Sequence, residues 1–91
     1  MQIKKLKEIP YGNAFVEIVD NETYYLWSYQ TLVAKVEKNR LSVNGLYSMT
    51  TRRHIGAFVR EYCNLSFQTA KKLYSDGMMM DITTGEVTEI K

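Results

Sequence analysis

Apolar and polar positions follow one period through the first half of the chain and another after residue 50. Residues 2 to 9, QIKKLKEI, put Ile3, Lys5, Lys7 and Ile9 on one side of an extended chain and Gln2, Lys4, Leu6 and Glu8 on the other. That imperfect alternation predicts a first strand. Pro10, Gly12 and Asn13 supply turn chemistry, AFVEIV at 14 to 19 predicts a better strand, and Asp20, Asn21 and Glu22 form the next turn. The aromatic and β-branched segment 23 to 37, TYYLWSYQTLVAKVE, predicts one bent strand or two strands joined near Ser28 to Thr31. Lys38, Asn39 and Arg40 read as a turn before LSV at 41 to 43, and Asn44-Gly45 as either a tight hairpin turn or a bulge.

From Thr50 onward the spacing becomes helical. Ile55, Phe58, Val59, Tyr62 and Cys63 recur at three and four residues and collect on one helical face. A second helix starts at Ser66 as N-cap, turns Phe67, Ala70, Leu73 and Tyr74 inward and stops at Gly77. The tail MMMDITTGEVTEI holds turn chemistry at Thr84-Gly85 between two extended runs, which predicts a final hairpin. If its last strand paired with the first, Glu86 and Glu89 would lie near Lys4, Lys5 and Lys7. Strands before and after two helices give an α+β fold: an antiparallel sheet with helices over about 50–63 and 66–76 packed on one face, and a C-terminal β-hairpin.

Composition places this pattern in a single domain spanning residues 1–91, because so short a chain supports one core. The lone Cys63 has no disulfide partner and no segment is apolar enough to span a membrane, so the expected setting is a reducing, cytoplasmic one without membrane attachment. The basic start lacks the sustained apolar stretch of a signal peptide. A net charge of +2 is too small to imply a polyanionic partner unless the basic residues cluster.

Candidate chemistry gathers in YSMTTRRHIGAF at 47 to 58, which holds the single His beside hydroxyls and two arginines. Cys63 and His54 are nine residues apart, about 900° around a helix and roughly 13 Å along it, so they point to opposite sides and make no nucleophile pair. Cys63 is expected in the core, and His54 as a surface or boundary residue. One His and one Cys cannot assemble a tetrahedral zinc site, and neither a GxxxxGK[ST] loop nor a GxGxxG segment is present; no catalytic residue, metal or cofactor is expected. Ser48, Thr50 and Thr51 read as helix caps. Arg53 and Arg60, within about 20° of each other on a helix, form a basic stripe; with Arg52, it is either a solvated face or a phosphate grip. On an uninterrupted strand Tyr25, Trp27 and Tyr29 share one face, which is either covered or an exposed aromatic strip. A helix-turn-helix reading of the two helices lacks the third helix such modules need.

The segments SYQTLVA at 28 to 34 and YSMTTRRHIGAF resemble linked blocks, Ser-Tyr-x-Thr-x-Val-Ala and Ser-x-Thr-Thr-x-x-His-Ile-x-x-Phe, of small uncharacterised proteins of Gram-positive bacteria, their phages and mobile elements. Ser28, Tyr29, Thr31, Val33, Ala34, Ser48, Thr50, Thr51, His54, Ile55 and Phe58 match. The resemblance implies a genomic setting in which small proteins bind and disable host proteins. The expected activity is therefore protein binding through Tyr25, Trp27, Tyr29, Arg52, Arg53, His54 and Arg60, with self-association one form of it. The alternative is a nucleic-acid-binding module using the arginines on phosphate and the aromatics on bases.

Overall fold

A computed structural model describes residues 2–90. It shows an α+β fold in which seven strands form one antiparallel sheet in chain order: β1 (Gln2–Lys5), β2 (Ala14–Asp20), β3 (Thr23–Ser28), β4 (Thr31–Glu37), β5 (Arg40–Val43), β6 (Met78–Asp81) and β7 (Val87–Glu89). Between β5 and β6 the chain leaves the sheet for α1 (Met49–Phe58), a π turn over Val59–Cys63 and α2 (Phe67–Asp76). The helices lie across one face of the sheet, α1 on β3 and β4, α2 on β5 and β6. Two layers thereby share a core that includes Leu6, Val16, Leu26, Val36, Leu41, Ile55, Phe58 and Val59, all fully buried. Each such side chain contributes about 1.5–3 kcal/mol relative to exposure.

The turns follow from local chemistry. Lys38 and Asn39 both adopt positive φ, 51° and 65°, giving β4 and β5 a tight two-residue hairpin. The 23-to-37 segment is two strands, broken where Tyr29 takes a positive φ of 59°. Leu26 faces Ala34 while Trp27 faces Leu32, so Val33 is an extra residue that bends β4 and lets both Val33 and Ala34 enter the core. Ser48 and Ser66 cap the helices, accepting from the Thr51 and Thr69 amides at 3.1 and 3.3 Å. Asn64 closes the π turn and Gly77 ends α2, both in the left-handed conformation.

Several expectations change. The first strand ends at Lys5 rather than Ile9; beyond it Leu6 is fully buried in the core and Ile9 packs against it, partly buried. Asn44-Gly45 is neither hairpin turn nor bulge: β5 has ended, and Asn44 ties to β4 through its amide to the Val33 carbonyl and its side chain to that of Leu32. The ring of the exposed Tyr47 lies over Gly45, so a Cβ there would require that ring to move. Tyr74 points outward. The last strand pairs with β6, not β1, so the Glu86 and Glu89 contacts with the N-terminal lysines do not form through a shared ladder.

Candidate functional site

The end of β3 and the start of α1 meet inside the molecule. Ser28, the last residue of β3, faces the helices, and its Oγ shares a 2.7 Å hydrogen bond with His54 Nδ1. Both side chains are 2% exposed. The two blocks that look separate in the sequence are thus joined by one buried contact. Around it, the Tyr29 ring lies 6.1 Å from the imidazole, held by a 2.7 Å bond from the Tyr29 amide to the Asn13 carbonyl. Gly12 passes so close that a Cβ there would stand 3.4 Å from His54 Nε2. Burial lowers the His54 pKa below its ordinary value of 6.5, so the ring is neutral at physiological pH. The neutral imidazole and the Ser28 hydroxyl satisfy one another inside the fold, a contact that pins the end of β3 to α1. His54 is deeper than the surface or boundary position the sequence suggests.

Cys63 is a core residue, as its spacing implies. Burial pushes its thiol up to about 12, which leaves essentially no thiolate at neutral pH. Thr51 is buried beside Ser48, whose hydroxyl donates to it at 3.2 Å. These hydroxyls serve the helix terminus.

On its outward side α1 is basic. Arg52, Arg53 and Arg60 line a shallow cavity of about 310 Å³ together with Met49, Gly56 and Phe67. Gly56 permits this arrangement: a Cβ would approach Arg60 Nη1 to 3.2 Å and the Phe67 side chain to 3.4 Å. Arg60 is not a free cation. Its Nε and Nη2 donate to the two carboxylate oxygens of Glu8 at 2.9 and 2.8 Å, and this pairing holds the Glu8 carboxyl below the usual carboxylate range. Among the described residues Arg52 and Arg53 form no such pair.

The aromatics stand on the far side of the sheet. Tyr25 and Trp27 alternate with the buried Leu26 and Ser28, so they project away from the helices, and no helix covers that face. Phe15 joins them, its ring stacked on Trp27 at 6.5 Å. Their polar tips are engaged within the sheet: Trp27 Nε1 donates to Glu17 at 3.1 Å and the Tyr25 hydroxyl to Glu37 at 3.1 Å. Glu37 in turn pairs with Lys35 at 3.1 Å. Tyr29 leaves the strand at the turn after Ser28 and stands at the His54 end of the sheet, where it shares a shallow cavity with Phe15 rather than lying beside Trp27.

The seven residues singled out by sequence therefore separate into three places: Tyr25 and Trp27 on the uncovered sheet face, Tyr29 and His54 at the pin, and the arginines on the outer helix surface. The sequence marks Ser28 only as part of a block and not as the partner of His54, and it singles out neither Glu8 nor Phe15. Only the alternation of AFVEIV, with Phe15 and Glu17 opposite Ala14 and Val16, points to the last of them.

Among the described residues no group of three or more His, Cys, Asp or Glu side chains could hold a metal ion, and no helix is long and apolar enough to cross a membrane. No curated protein and no solved structure matches the chain. One family model does, described as a family of unknown function (DUF8033), and it covers residues 1–76, through α2 and short of β6 and β7. The chain belongs to that family.

Proposed function

We propose that this is a small cytoplasmic protein of phage or mobile-element type that acts without catalysis or cofactor, by binding another protein, with a host protein as the class of target. The observation that carries the reading is the uncovered sheet face bearing Phe15, Tyr25 and Trp27. Half-buried aromatics fixed by neighbouring acids present large contact area at little entropic cost, the composition of a protein interface core. The sealed Ser28–His54 contact and the protonated Cys63 thiol support a non-catalytic role. The test is an affinity pull-down from a lysate of a Gram-positive bacterium, the class of host the proposal implies, repeated with nuclease, with a Tyr25→Ser/Trp27→Ser variant checked for folding by circular dichroism. The wild type should retain a specific protein, or itself as a dimer by size exclusion, and the variant should lose it. A monomer that recovers no specific protein sinks the proposal.

A second reading, nucleic-acid binding, is favoured by one observation: Arg52 and Arg53 lack acidic partners among the described residues. Its weakness is that Glu8 neutralises Arg60, leaving few of the phosphate contacts such binding needs. It predicts an affinity that falls steeply with salt and is lost in an Arg52→Glu/Arg53→Glu variant.

A further inference from the structure

We infer that the cavity between α1 and the start of α2 is a docking groove for an acidic peptide segment of a protein partner, taking one apolar side chain between two carboxylates. The inference rests on the protein-binding reading but uses the opposite side of the molecule from the aromatic strip. Three observations combine. The groove is lined by three guanidinium groups, of which Glu8 pairs one and leaves those of Arg52 and Arg53 without an acidic partner among the described residues, a net positive charge that selects an anionic occupant. Arg60 is pre-set: Glu8 consumes Nε and Nη2, leaving Nη1 over Gly56 on the groove floor. The remaining wall is apolar, with Phe67 and a Met49 side chain that is 72% exposed beside the Arg pair.

The size favours a peptide over a nucleic-acid strand. A cavity of about 310 Å³ admits one side chain with its flanking carboxylates, whereas a backbone phosphate track needs a longer row of cations than Arg52 and Arg53 provide. Arginine suits carboxylates because its planar fork can hold both oxygens at once, and Met is a wall that adapts to different apolar guests.

The test is an NMR titration of the purified protein with the capped tripeptide Glu-Leu-Glu, against Glu-Ser-Glu, inorganic phosphate and an oligothymidylate of about twenty nucleotides. Glu-Leu-Glu should shift the Gly56 amide and the arginine side-chain signals saturably, and bind several-fold more tightly than Glu-Ser-Glu or phosphate. Arg52→Glu/Arg53→Glu should weaken it by about tenfold or more, on the scale of two lost charge-assisted contacts, with the signals of the buried sheet residues Val16 and Leu26 unchanged. Met49→Ala should erase the preference for Leu over Ser. The inference is overturned if Glu-Leu-Glu shifts nothing in the groove, if Glu-Ser-Glu or phosphate binds equally, or if the oligothymidylate binds more tightly. Because the pull-down variant alters Tyr25 and Trp27, that experiment and this one fail independently.

Discussion

The two faces of the sheet use neighbouring residues of one strand for opposite purposes. On β3, Leu26 and Ser28 turn under α1, where one fills the core and the other pins His54; Tyr25 and Trp27 turn away and tie their polar tips to Glu37 and Glu17. The covered face is a packed interior in which the buried Ser28 and His54 side chains satisfy one another. The open face is aromatic and acidic, with lysines interspersed. What separates them is not residue type, since both carry hydroxyls and large rings, but whether water can reach the polar atoms. On the covered face a polar group must be matched within the fold, whereas on the open face water can take the place of a lost partner.

That contrast is broken most severely by emptying the covered face. Leu26→Ala should cost about 2–5 kcal/mol in urea denaturation, because the rigid layer between sheet and helix cannot collapse into the cavity. Tyr25→Ala, one residue away, should cost about 1 kcal/mol or less. Equal losses at the two positions would mean that the open face is covered in solution.

Next in size is Ser28→Ala. It leaves the buried His54 Nδ1 without its partner and should destabilise by about 1–3 kcal/mol. A neutral result would demote the pin to an incidental contact.

A smaller effect is the pH dependence that His54 adds. Its pKa is lower folded than unfolded, so the unfolded state takes up the proton first. Its contribution to stability is present above about pH 6.5, the ordinary value, and falls as pH drops from there toward the depressed folded pKa. His54→Gln should be less stable at neutral pH but should lack this segment of the stability curve. An identical curve in both proteins contradicts a buried neutral imidazole.

The smallest expected effect concerns the open face alone. The hydrogen bond to the Glu37 carboxylate raises the Tyr25 pKa above its ordinary 10.0, and Glu37→Gln should bring it back down, read as an earlier tyrosinate band in an ultraviolet titration. No change would remove Glu37 as the anchor of that ring.

Much of this architecture is legible in the residues themselves. The three- and four-residue spacing of Ile55, Phe58 and Val59, the serines before each helix, Gly77 after the second and Thr84-Gly85 in the last hairpin are local signals, and each produces the element it implies. The site is less legible because it is made of long-range pairs. Ser28 and His54 are 26 residues apart, and Glu8 and Arg60 are 52 apart. No periodicity encodes such contacts. Tyr29 misleads for another reason: a bulky residue with positive φ does not advertise a turn as Gly or Asn would, so an uninterrupted strand wrongly places it beside Trp27. Arg53 and Arg60 do share a groove, but through the π turn and the room left at Gly56 rather than through ideal helical angles.

The most direct measurement of the central claim is the nuclease-treated pull-down that compares wild type with Tyr25→Ser/Trp27→Ser. A specific protein, or a second copy of the chain, should be held by the wild type in near-stoichiometric amount and be lost from the folded variant. Recovery that is equal in both proteins, that vanishes with nuclease, or that is absent from the wild type would contradict it.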